Sequence, residues 1–151
     1  FNAQFSGGWQ PTVRAFAIER AAADFVVTSV FAKIFDKFPR LRFASVENGS
    51  DYLRDAIKKL TGTHHKMPGY FTTHPVESLR QNWWINPFWE DDVNEVVELM
   101  GADRVLFGSD WPHIEGMPRP LDYLPEVKQF DDDAQRKIMH DNVVELNAPL
   151  P

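Results

Sequence analysis

The sequence predicts an α/β fold in which parallel strands alternate with helices, and three observations carry that prediction. Helical and strand patterns follow one another in the order helix, strand, helix, short helix, strand, helix, strand, helix. The segment RVLFG (104–108) is apolar without alternation, as expected of a strand covered on both faces of a parallel sheet. No internal repeat, low-complexity tract or linker interrupts the pattern, so the chain reads as one structural unit.

The first helix is predicted over residues 14–38. Val27, Val30, Phe31, Ile34, Phe35 and Phe38 recur there at three- and four-residue spacings, and Pro39 closes the segment. Leu41, Phe43 and Val46 then mark a short buried strand. Ser50 is the expected N-cap of a helix over 51–60, whose apolar face is Tyr52, Leu53, Ala56, Ile57 and Leu60. Residues 61–73 hold Gly62, Pro68 and Gly69 and read as loop.

A short helix over 76–80 leads into a strand over 82–85. The next helix, 90–100, has Glu90, Asp91 and Asp92 in its first turn and Val93, Val96, Val97 and Met100 on its apolar face, with Gly101 as its stop. The strand 104–108 ends in Ser109-Asp110. A Pro-rich loop, a short helix over 121–130 and a last helix over 132–146 complete the chain. Ala134, Ile138, Val143, Val144 and Leu146 are the inner positions of that last helix. The Asp131-Asp132-Asp133 run suits its N-terminus, where negative charge complements the helix dipole.

Composition narrows the class of function. Of 151 residues, 43% are hydrophobic and 25% charged, the proportions of an ordinary globular domain. Asp and Glu number 22 against 16 Lys and Arg, a net charge of -6, and there is no basic stripe, which argues against nucleic acid as a partner. The absence of cysteine rules out disulfides and thiolate metal sites and fits the cytoplasm. No apolar run approaches the roughly 20 residues of a membrane helix, and FNAQFSGGWQPTV has no signal-peptide pattern. These first residues lack an initiator Met and read as loop, so the chain is expected to begin in mid-domain.

Chemistry is most concentrated at VLFGSDWPH (105–113). A buried strand ends, a glycine permits close approach, and Asp110 stands at the C-terminal edge, where parallel α/β folds place their sites. A carboxylate there can hold a metal ion or take a proton from a water that a metal activates. Trp111 and His113 are candidate substrate-binding residues beside it. Asp110 as a simple cap of the following turn fits the pattern equally well. Only three or so strands are visible, whereas a closed barrel needs eight and about 250 residues. The chain is therefore a small open sheet or part of something larger.

The segment GSDWPH after an apolar strand resembles the last-strand motif of the amidohydrolase-2 family, whose relatives include aminocarboxymuconate semialdehyde decarboxylase. Three further segments resemble that family in its own order: KFPRLRFASVENG (37–49), NWWINPFWEDD (82–92) and KIMHDNVVEL (137–146), the last with Asn142 in the family's Asn position. The resemblance covers about residues 24–146. It implies the C-terminal part of a (β/α)₈ TIM barrel with one divalent metal, commonly zinc, and a domain of which residues 1–151 are the C-terminal portion. It also implies that Asp110 is the catalytic Asp and a metal ligand.

Two departures from the family pattern bear on the site. The His-x-His strand and the mid-barrel His have no counterpart here. Where the family has a strand-ending His, this sequence has Glu47, followed by Asn48-Gly49. Glu47 is either a metal ligand through oxygen, with altered metal preference, or a hydrogen-bonding residue only. The resemblance implies a metal-dependent hydrolase acting on a small organic amide, ester or acid, or a non-oxidative decarboxylase on the same constellation. A catalytically silent half-barrel is the reading from another class. Its open sheet edges and uncovered interior would favour pairing with the missing N-terminal half or with another copy as a homo-oligomer.

The remaining candidates have plainer readings. His64-His65 are expected as solvated loop residues, His74 as a helix-start residue and His140 within an amphipathic helix. Trp83, Trp84, Phe88 and Trp89 are expected to pack, with a pocket role left open for Asn86-Pro87-Phe88 at a strand end.

Overall fold

The computed structural model describes residues 17–114 and 116–149. Two strands, β1 (Phe43–Ser45) and β2 (Trp83–Ile85), pair in parallel with Phe43 opposite Trp83 and Ser45 opposite Ile85. Val105 extends the sheet by a single parallel bridge to Ile85. Helices separate the three strand positions: α1 (Ala17–Phe31) and α2 (Ile34–Lys37) before β1, α3 (Tyr52–Lys66) and α4 (Pro75–Asn82) between β1 and β2, and α5 (Val93–Met100) before Val105. Beyond it come α6 (Leu124–Val127), α7 (Asp132–Arg136) and α8 (Asn142–Asn147).

One face of the sheet is packed with rings. Phe43 and Trp83 stack at 4.9 Å across the β1–β2 register, and Phe25 and Phe35 meet Phe43 edge-on at 5.4 and 5.8 Å. Around them close Val26 and Val30 of α1, Leu53, Ala56 and Leu60 of α3, Val76 and Leu79 of α4, and Val93, Val96 and Met100 of α5, all buried. Each of these helices thus turns its three-and-four-spaced apolar stripe to the sheet, which fixes the strand directions.

Several sequence expectations change in the structure. The first predicted helix breaks at Lys33, a left-handed residue at φ 53°, so α1 and α2 are separate. The helix α3 runs through Gly62 to Lys66, which puts His64 and His65 on a helix and not in a loop. A side chain at position 62 would meet nothing within 4 Å, so that glycine neither bends nor packs the helix. Ser50 does not cap α3; its hydroxyl bonds Asp91 instead. Val143 and Val144, expected inside, are 43% and 54% exposed.

The helix α5 starts three residues later than predicted because Asp92 is its cap, accepting from the Asn94 N–H at 2.9 Å. Hydrogen bonds from the Asn94 side chain and backbone hold the Asp92 carboxyl below the usual range. The last helix is continuous from Asp132 to Asn147 but passes through a π turn at Lys137–Asp141. That segment lies against the third strand position. Phe107 N–H donates to Ile138 O at 3.0 Å, and the buried Asn142 amide donates to Ala102 O and Val105 O, both at 2.7 Å. RVLFG therefore bonds β2 on one side, where Val105 bridges Ile85, and a carbonyl of the last helix on the other. Among the described residues no helix is long and apolar enough to cross a membrane.

Candidate active site

All three strand positions run the same way, so their C-terminal ends open onto one side of the sheet. A cavity of about 700 Å³ lies there. Three carboxylate residues line it: Glu47 after β1, Glu90 after β2, and Asp110 after Val105. Pro87, Phe88, Trp89 and Ile114 give it apolar walls, and Asn86, Gly108 and Ser109 complete the lining.

The two carboxylates singled out in the sequence share an uncommon backbone. Glu47 and Asp110 are both left-handed, at φ 61° and 54°. Left-handed backbone is unfavourable for a residue with a Cβ by roughly 1–2 kcal/mol, and such outliers concentrate where a fold holds a side chain in place. Around Glu47 the turn is fastened by the Asn48 amide, which donates to Val46 O at 2.7 Å, and Gly49 takes a further positive φ of 64°.

Around Asp110 the fastening is tighter. His113 N–H donates to Asp110 O at 2.7 Å and Met117 N–H donates to Ser109 O at 2.8 Å, so the loop closes on its own start. Gly116 is what lets it close, because a Cβ there would lie 2.4 Å from Asp110 O. The His113 ring nitrogen Nδ1 stands 3.1 Å from Asp110 Oδ2. Both side chains are a little more than a third exposed, at 38% and 45%.

The loops from neighbouring strands are linked across the rim. Asp91 Oδ2 accepts from the Ser50 hydroxyl at 2.8 Å and from the Phe88 N–H at 3.0 Å, tying the Glu47 loop to the loop that carries Phe88 and Trp89. Arg54 of α3 and Glu95 of α5 pair at 2.7 Å on the same two β/α units. Between the second and third strand ends, the Asn86 amide donates to Leu106 O at 3.2 Å, and Gly108 leaves it the room. A Cβ at position 108 would lie 2.8 Å from the Asn86 side chain.

The structure brings Asp110 and Glu47 to one cavity and sets His113 against Asp110, while Trp111, 63% exposed, is not among the lining residues. The other histidines lie elsewhere. His64 and His74 stack edge-on at 4.5 Å, His74 Nδ1 caps α4 by accepting from Val76 N–H, and His140 Nδ1 is 2.8 Å from Asp141 Oδ1. Among the described residues no three or more His, Cys, Asp or Glu side chains converge as a metal-binding group.

Sequence reasoning missed Glu90, Ser109 and Ile114 as lining residues and Asp91 as the rim link. Glu90 and Asp91 were read as first-turn helix charges. The signal that could have corrected this was Asp92 followed by an apolar helix stripe, a cap that leaves the two preceding acids in the strand-end loop.

The model of the family described as Amidohydrolase matches residues 7–146. A 2-amino-3-carboxymuconate-6-semialdehyde decarboxylase of Dictyostelium discoideum is 21% identical over 145 residues, 91% of this chain and 39% of the relative. The crystal structure of an amidohydrolase from Mycobacterium avium subsp. paratuberculosis K-10 superposes with a TM-score of 0.85 and 39% identity, over 95% of this chain and 38% of that one. A dihydroxybenzoic acid decarboxylase from Polaromonas sp. JS666, solved with manganese and the inhibitor 2-nitroresorcinol, shares the fold at a TM-score of 0.63 and 19% identity, over 85% and 40% of the two chains. The chain thus spans about 40% of the length of these relatives. Its parallel strands and intervening helices are part of a (β/α)₈ barrel.

Proposed function

From the premise that the chain belongs to the amidohydrolase family, we propose that its strand-end cavity is one side of a metal-dependent hydrolase site for a small organic amide, ester or acid. The observation that carries this reading is the convergence of Asp110 and Glu47 on one cavity at the C-terminal ends of parallel strands. That is the end of a barrel where catalytic residues gather.

The donor set fits a divalent cation in part. Two carboxylates supply hard oxygen ligands, and among the described residues no third ligand-type group converges with them. Oxygen ligands suit manganese as well as zinc, and the decarboxylase from Polaromonas was solved with manganese. A divalent cation held by Asp110 and Glu47 would supply Lewis acidity toward a carbonyl oxygen and toward water.

The chain's own residues do the rest. Asp110 accepts the proton released when water attacks the carbonyl carbon. His113, at 3.1 Å from Asp110 Oδ2, engages one carboxylate oxygen and fixes the orientation of the group. Phe88, Trp89 and Ile114 give the bound substrate an apolar wall. Decarboxylation of a carboxylated substrate on the same residues is the second reading, favoured by the two decarboxylase relatives.

Metal content of the full-length protein tests the proposal. Elemental analysis after dialysis should find one divalent metal per chain in the wild type and a loss of at least about tenfold in affinity for Asp110→Asn, the lower range for a disturbed ligand shell. Equal metal retention by both proteins refutes the role of Asp110, and a metal-free wild type favours the silent half-barrel.

A further inference from the structure

The charge of the cavity lining discriminates between substrate classes in a way the family relationship does not. Glu47, Glu90 and Asp110 line it, and no Lys or Arg is among the described lining residues. The imidazole beside Asp110 is engaged with that carboxylate. The rest of the lining is the apolar Pro87, Phe88, Trp89 and Ile114, two of them aromatic, with the uncharged Asn86, Gly108 and Ser109. Phe88 and Trp89 are 36% and 46% exposed, so part of each ring is accessible to a ligand. The rim bond from Asp91 to the Phe88 N–H holds this aromatic segment beside the Glu47 loop.

We propose that this cavity selects an uncharged ligand with a flat apolar body, such as an aromatic amide or ester, over the matching carboxylate. The inference deepens the hydrolase reading and rests on it. An anion entering the cavity meets three carboxylates at its lining and no cationic side chain among the described residues to offset them. Like charges brought together this way are strongly disfavoured. A divalent cation held by Glu47 and Asp110 would balance those two charges and leave Glu90 uncompensated. A neutral aromatic ring loses nothing by this electrostatic field, gains contact with Phe88 and Trp89, and presents a carbonyl to Asp110. The same lining disfavours the decarboxylase reading, whose substrate brings a carboxylate of its own.

The test uses benzamide and benzoate, a neutral and an anionic ligand of nearly the same shape. Their binding to the full-length protein is titrated in chelator by ligand-observed NMR, with tryptophan fluorescence as a second readout. The expected result is that benzamide binds roughly tenfold or more tightly than benzoate, a conservative figure for like-charge exclusion. Glu90→Gln should raise benzoate affinity several-fold relative to that of benzamide. Equal or tighter binding of benzoate overturns the proposal, as does failure of both ligands to bind. Because charge preference is read in metal-free protein, its failure is distinct from that of the hydrolase reading, which is read from metal retention by Asp110→Asn.

Discussion

Glu47 and Asp110 stand just past the ends of two strands that flank β2, and each holds the same left-handed backbone, at φ 61° and 54°. Two carboxylates in that conformation on one cavity mean that the fold tolerates local strain at both places where the proposed chemistry needs an acid. Glu47→Gly should relieve that strain. We predict a gain of about 1 kcal/mol in unfolding free energy, measured by urea denaturation, together with weaker metal binding. Asp110→Asn should leave stability nearly unchanged, since Asn adopts left-handed backbone readily. A Glu47→Gly protein that is less stable than wild type would remove the strain argument.

Asn142 should be the most sensitive polar position outside the cavity. It is 2% exposed and its amide serves both Ala102 O and Val105 O at 2.7 Å. Asn142→Ala leaves the buried Val105 carbonyl without this donor and weakens the bonding of the part-buried Ala102 carbonyl, a loss of about 1–3 kcal/mol. Asn142→Asp should be worse, because a carboxylate would face those carbonyls in place of a donor. Chemical denaturation of the two variants decides it, and similar stabilities would show that the amide bonds matter little.

Gly116 and Gly108 should respond differently to alanine. At Gly116 the new methyl would lie 2.4 Å from the Asp110 carbonyl, backbone that cannot swing aside. A stability loss of about 1–3 kcal/mol is expected, the range for overpacking, with Asp110 displaced. At Gly108 the conflict at 2.8 Å is with the Asn86 side chain, which can rotate away. Thermal unfolding should therefore register Gly108→Ala less than Gly116→Ala, while ligand titration should show weaker binding to a cavity whose Asn86 has lost its bond to Leu106 O.

The Asp91 link predicts a pattern of backbone protection. Ser50→Ala removes one of two bonds to Asp91 Oδ2, and Asp91→Ala removes both. Hydrogen exchange should accelerate over residues 86–92 in both variants and spread to residues 46–50 in both. If exchange changes only next to the substituted residue, the two loops are not coupled.

Acid should loosen α4. Burial first, and then the nearby His64, keep the His74 imidazole below its ordinary pKa, with His65 and Arg80 acting the same way and Glu77 opposing them. A His depressed in the folded state contributes stability that is present above its unfolded value near 6.5 and is lost as pH falls through its folded pKa. Protonation also ends its role as acceptor for Val76 N–H at the N-cap. The unfolding midpoint should therefore fall as pH drops below the ordinary imidazole value near 6.5, and His74→Asn, which caps without titrating, should flatten that decline. An unchanged acid limb in His74→Asn would assign the effect to other groups.

The strand-end Asp110, the apolar stripes of α3 and α5, and the acidic start of the last helix at Asp131-Asp132-Asp133 were legible because each is encoded by residues next to one another in sequence. What was hidden depends on tertiary partners. Gly62 and the His64-His65 pair look like a loop, yet packing of Leu60 and Ala56 carries α3 past them. RVLFG has the composition of a full strand, but its second neighbour is the π turn of the last helix, and only Val105 bridges. Glu90 and Asp91 became site residues only because Asp92, one position later, took the cap. His113 was expected to meet substrate, and its partner in the structure is Asp110.

The guanidinium of Arg42 fastens the first strand to the last helix. Its Nη1 donates to Glu145 O at 2.5 Å, Ala148 O at 3.1 Å and Leu146 O at 3.2 Å, joining the residue just before β1 to the carbonyls that end α8. These partners are 103 to 106 positions apart. One side chain thus satisfies the carbonyls that a helix leaves open at its C-terminus and ties the strand that leads to Glu47 to the far end of the described residues.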